Sequence, residues 1–70
     1  MSAWELGKNE TGVIFNIEGN DTITMRLKTM GFTSGQNITI LQKCETNALV
    51  KVGETRIVLS SHLLEKVKII

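Results

Sequence analysis

The chain has 70 residues, 41% of them hydrophobic and 21% charged, with a net charge of +1; this bounds it at one small domain with one core and no room for a second. The near balance of charge gives no strong pull toward nucleic acid, and apolar stretches such as 13–15 and 38–41 are too short to cross a bilayer. A lone cysteine, Cys44, excludes an internal disulfide, and the start Met1-Ser2-Ala3-Trp4 lacks the basic and apolar regions of a secretory leader, so a cytoplasmic location is expected.

Residues 11–17 are rich in β-branched and aromatic types, and a two-residue period predicts a first strand with Val13, Phe15 and Ile17 on its core face. Glu18-Gly19-Asn20-Asp21 breaks this pattern, and Asp21 stands where it can cap a helix over 22–30. In that helix Ile23, Leu27 and Met30 form a narrow apolar stripe, Gly31 supplies the left-handed residue that ends helices, and Met25 and Arg26 are left on the outer side. Phe32 is expected to fold back onto the core, Thr33-Ser34-Gly35 to turn, and 36–42 to alternate as a second strand.

The sharpest local signal is a hairpin over 49–59, with Gly53-Glu54 as a two-residue loop whose leading glycine suits a type II′ turn. That turn sets the register: Val52 opposite Thr55, Lys51 opposite Arg56, Val50 opposite Ile57, Leu49 opposite Val58 and Ala48 opposite Leu59. Ala48, Val50, Val52, Ile57 and Leu59 then face the core, and Leu49, Lys51, Arg56 and Val58 face outward. Residues 60–65 read as a capped helical turn and 66–70 as a last strand. The whole is a mainly β fold: a small antiparallel barrel of about five strands, with one short helix after the first strand and a helical turn before the last.

No nucleophile stands beside a base, no carboxylates cluster and no glycine-rich phosphate loop is present, so no catalytic residue and no enzymatic activity are expected. His62 and Cys44 lack the spacing of metal ligands, so no metal site and no cofactor are expected. The candidate partner-binding residues are Met25, Arg26, Leu49, Lys51, Arg56 and Val58, because apolar groups rimmed by positive charge fit a protein partner. Trp4 either covers a mouth of the barrel or anchors that partner. The alternative is a nucleic-acid-binding barrel; it needs stacking aromatics on a basic groove, and the chain holds only Trp4, Phe15 and Phe32, with Phe15 assigned to the core.

A longer pattern ties these pieces together: Leu6, Glu10-Thr11-Gly12-Val13-Ile14 with Ile17 and Gly19, Arg26-Leu27, Met30-Gly31-Phe32, then Gly35, Ile38 and Ile40. In this order of motifs, which spans nearly the whole chain, the sequence resembles the FeoA family, small SH3-like barrels associated with the membrane ferrous iron permease FeoB. Asn9 stands where that family often has Gly, and Ser34 where Pro is common; Asn tolerates the left-handed backbone and Ser can open a turn. The resemblance implies an SH3-like barrel acting as a small cytoplasmic accessory or regulatory protein of ferrous iron uptake. Its implied partner is a FeoB-type permease, through the cytosolic GTP-binding region, which would draw it to the inner face of the cell membrane. Neither a nucleic-acid partner nor insertion into the membrane is implied.

Overall fold

The computed structural model describes residues 1–70. A 3-10 turn (Ala3–Glu5) precedes β1 (Thr11–Ile17), α1 (Thr22–Thr29), β2 (Asn37–Lys43), β3 (Asn47–Val52), β4 (Thr55–Ser60), α2 (Ser61–Lys66) and β5 (Val67–Ile69). The strands form one antiparallel sheet in the order β4-β3-β2-β1-β5. Its two edge strands, β4 and β5, are consecutive strands joined by α2, which connects the two edges of a barrel left open between them. The N-terminal segment seals the far edge of β5: Ser2 bridges Lys68, and the Met1 carbonyl accepts the Ile69 N–H at 2.8 Å.

The ends of α1 follow from local chemistry. Asp21 Oδ1 accepts the Thr24 N–H at 2.9 Å, satisfying one of the first-turn donors. At the other end Gly31 has φ +104°, its N–H reaches the Lys28 carbonyl at 3.2 Å, and the Phe32 N–H reaches the Leu27 carbonyl at 3.1 Å. This pair of bonds is a Schellman ending, which needs a left-handed residue and throws the next side chain back across the helix. Phe32 is accordingly fully buried.

The helix is rotated relative to its expected stripe. Leu27 faces the core as expected, but Thr24 is the second buried residue and Ile23 is 55% exposed. Thr24 tolerates burial because its hydroxyl donates to the Asp21 carbonyl at 3.1 Å, so no polar group is left without a partner.

In β1 the expected face is also corrected. Gly12, Ile14 and Ile17 are buried, whereas Val13 is 37% and Phe15 61% exposed. Ile14 pairs with Ile69 and Asn16 with Lys68, leaving Phe15 as the extra residue of a bulge. One inserted residue shifts the two-residue period, so Ile14 and Ile17 both point inward across a spacing of three. Gly12 lies inward where Ile69 packs over it: a Cβ there would sit 2.7 Å from Ile69 Cδ1.

The hairpin has the expected register in all five pairs. Gly53 has φ +58° and Asn9 is the only other kind of residue with a positive φ, so Glu54 keeps an ordinary backbone, as a type II′ turn requires. Ala48, Val50, Val52 and Leu59 are buried, and Ile57 lies half-buried at the margin of the core. Ser60 closes β4 and starts α2, its Oγ accepting the Leu63 N–H at 3.2 Å.

Candidate docking surface

The outer face of β3 and β4 is laid out by the hairpin. Lys51 lies opposite Arg56 and Leu49 opposite Val58, so one outward rung holds two like charges and the next holds two aliphatic side chains. Arg56 and Val58 are exposed, Val58 at 59%, and Lys51 and Leu49 are half-buried. The charged rung continues across the sheet through Thr39 of β2 to Thr11 of β1, whose hydroxyls are 2.8 Å apart.

No carboxylate lies within ion-pair range of Lys51 or Arg56. The two ion pairs of the molecule, Lys66 with Asp21 at 3.6 Å and Lys68 with Glu18 at 3.5 Å, involve the start of α1 and the β5 side. Like charges directly opposed on a sheet destabilise by roughly 0.2–1 kcal/mol. Both side chains reach water, which keeps this cost low, and an anionic group placed over the rung would reverse its sign.

On α1, Met25 is 52% exposed and Arg26 is exposed as well. Ile23, assigned to the core by its spacing, joins them on the surface. The helix meets the hairpin at one hydrogen bond, from the Thr55 hydroxyl to the Met30 carbonyl at 3.5 Å, which sets the C-terminal end of α1 beside the turn end of β4.

Trp4 stands elsewhere. Lys43 pairs with Ala48, which faces the core, so its side chain leaves the inner side of the sheet at the end of β2. Its ammonium donates to the carbonyls of Trp4 and Leu6, the latter at 2.9 Å, and lies 4.4 Å from the centre of the Trp4 ring. The ring is half-buried against the core. The structure therefore brings together Leu49, Lys51, Arg56 and Val58, sets Met25 and Arg26 on a neighbouring helix, and holds Trp4 half-buried against the core beside the Lys43 ammonium.

Two carboxylates are held below their ordinary range, both at helical starts. The Ser2 backbone N–H donates to Glu5 at 2.6 Å and stabilises its charged form. Asp21 is lowered by the Thr24 N–H, with the Lys66 ammonium assisting. Neither belongs to the outer face of the hairpin. Cys44 and His62 are exposed, and no three His, Cys, Asp or Glu side chains converge. No helix is long and apolar enough to cross a membrane.

Sequence reasoning missed a strip of exposed apolar residues along β1 and β5: Val13, Phe15, Met1 and Ile70, with the Ile70 N–H bonded to the Val13 carbonyl at 2.9 Å. Nothing in 11–17 marks a bulge at Phe15. The N-terminal turn did carry a signal, Ser2-x-x-Glu5, the spacing of a capping box.

Among functionally curated proteins none matches the chain. Among solved structures, the crystal structure of an iron uptake regulatory protein, FeoA, is 26% identical with a TM-score of 0.87, covering 99% of this chain and 93% of that one. FeoA of Stenotrophomonas maltophilia in complex with zinc, an SH3-domain protein put forward as a ferrous iron transport activating factor, is 28% identical with a TM-score of 0.90, covering 99% and 88%. A manganese-dependent transcriptional repressor shares the fold at 15% identity and a TM-score of 0.84, this chain covering 40% of its length. The family model described as the FeoA domain matches residues 1–70. With its whole length matched and its barrel superposing on an SH3-domain relative, the chain belongs to the FeoA family.

Proposed function

We propose that this chain is a cytoplasmic accessory protein of ferrous iron uptake, regulating a FeoB-type permease by docking on its cytosolic GTP-binding region. Membership of the FeoA family supports the pathway, since relatives of similar fold are named for iron uptake regulation and ferrous iron transport activation. The observation that carries the docking surface is the uncompensated Lys51–Arg56 rung beside the Leu49–Val58 rung. A partner presenting carboxylates and aliphatic groups relieves the repulsion and removes apolar area from water. Met25 and Arg26 repeat the same chemistry on α1.

Isothermal titration of the chain with the GTP-binding region of a FeoB-type permease from the same organism, loaded with GDP or a non-hydrolysable GTP analogue, tests this. Binding is expected, with a loss of about tenfold or more, roughly 1.4 kcal/mol, in a Lys51→Glu/Arg56→Glu variant. Unchanged affinity of that variant removes this surface from the reading, and absence of binding in both nucleotide states removes the partner.

The exposed position of Phe15 favours one other reading, a nucleic-acid-binding barrel, because an aromatic at 61% exposure can stack on a base. Phe15 lies on β1, however, two strands from the Lys51–Arg56 rung, so stacking and phosphate contacts fall on different parts of the sheet. A salt-sensitive gel shift abolished by Phe15→Ala would establish this second reading.

A further inference from the structure

The sheet has two edges, and the chain treats them differently. The outer edge of β5 is bonded to the N-terminal segment through Ser2 and Met1. No residue of β4 makes a backbone hydrogen bond outside its ladder with β3. The edge has no proline and no bulge, its pairing running unbroken from Thr55 to Ser60, and the one charge it carries is the exposed Arg56.

Which groups are open follows from the turn. In a two-residue hairpin the flanking pair, Val52 and Thr55, exchanges backbone hydrogen bonds, and so does every second pair beyond it, Val50 with Ile57 and Ala48 with Leu59. Arg56 and Val58, lying between, turn their N–H and C=O groups toward the open edge. Both also carry exposed side chains on the outer face. Two residues thus offer main-chain bonds together with a guanidinium and an aliphatic group, roughly 6.6 Å apart along the strand.

We propose that the edge of β4 takes an extended segment of a protein partner as an added strand, with an acidic residue beside Arg56 and, two residues along, an aliphatic residue beside Val58. An added strand lies about 4.8 Å from β4, within direct reach of Arg56 and of the longer-range field of Lys51 behind it. The charge chooses the occupant. Arg56 and Lys51 have no carboxylate in range, so an acidic segment completes the rung, whereas β4 of a second copy brings a further Arg56, with its Lys51 behind, to an edge that already lacks an anion. The proposal rests on the docking reading above and names its mode: main-chain bonds supply adhesion and the alternate side chains supply selectivity.

The test uses the full chain labelled with ¹⁵N and two probes: the GTP-binding region of a FeoB-type permease, and an end-capped peptide Thr-Glu-Thr-Val-Thr, with Thr-Lys-Thr-Val-Thr as its charge-swapped control. The acidic peptide and the permease region are expected to shift the amides of Arg56 and Val58 most, and to slow their hydrogen exchange at least tenfold; the lysine peptide is not. Arg56→Glu, an exposed change that leaves the amide spectrum dispersed, should weaken the acidic peptide at least tenfold and admit the lysine peptide. If the permease region binds while those two amides exchange as before, strand addition is overturned and docking stands on another face. Binding of the acidic peptide without the permease region keeps the edge and discards that partner. Failure of both probes overturns the proposal, and so does protection of the same amides by raising the concentration of the chain alone, which would make a second copy the occupant.

Discussion

The β3–β4 hairpin keeps its two-residue period without interruption from Asn47 to Ser60, whereas β1, in the other half of the sheet, loses it at Phe15. Both strands alternate on paper, and the difference lies in what each must pair with. β3 and β4 are joined by a tight turn that sets their mutual register, and where β3 meets its other partner, β2, the shift falls in β2, between Ile40 and Gln42. β1 serves two distant partners: residues 11–13 pair with β2 and residues 14–17 with β5. The bulge falls where β1 changes partner, the point at which a sheet closing on itself has to bend. Local turns protect a strand's periodicity, and closure of a barrel overrides it.

The largest expected effect tests the broken period of β1 with a pair of substitutions. Ile14→Ala is expected to destabilise by about 2–5 kcal/mol, the range for emptying a buried aliphatic site, while Phe15→Ala should fall within about 0.5 kcal/mol although it removes more atoms. Urea unfolding curves measure both, and the reverse order would restore the simple alternation of β1. A smaller effect probes the close approach inside the same bend. Gly12→Ala puts a methyl against Ile69, 2.7 Å from Cδ1, and should cost about 1–3 kcal/mol, part of it recovered when Ile69→Val is added.

The smallest expected effect concerns the cap of α1, which links β1 to the rest of the sheet. Asp21 titrates below its ordinary value of 3.8 in the folded chain. It therefore favours the folded state above that value, and the contribution is lost as the pH falls through its lowered folded value. Asp21→Asn keeps a capping oxygen but removes the charge. The stability difference between the two proteins, present at pH 7, should close in unfolding curves taken well below pH 3.8; a difference that persisted there would assign the effect to the cap geometry rather than to the charge.

These contrasts mark which parts of the molecule were legible in the sequence. The register of the hairpin, the Asp21 cap and the Met30-Gly31-Phe32 ending rest on residues within five positions of one another, where turn chemistry and hydrogen-bonding reach decide the outcome. Asn9 belongs with them: it adopts φ +68°, the left-handed backbone its side-chain type tolerates. Phe15 and Ile23 were misplaced because their exposure depends on how β1 bends and how α1 is rotated against the sheet. The candidate surface divides along the same line. Leu49, Lys51, Arg56 and Val58 share an outer face by local register, whereas the position of Trp4 is set by Lys43, 39 residues away.

The seam between residues 1–2 and β5 has a consequence for biosynthesis. Met1 and Ser2 are bonded to Ile69 and Lys68, and β1 takes half of its pairing from β5. A nascent chain leaving the ribosome can form the β3–β4 hairpin as soon as residue 60 is free, because that contact is local. Residues 1–17, made before 67–69, have to wait for them before their strand is flanked on both sides. Until then Val13 and Phe15 border an unpaired backbone rather than a finished sheet, so β1 is the strand most in need of protection during synthesis.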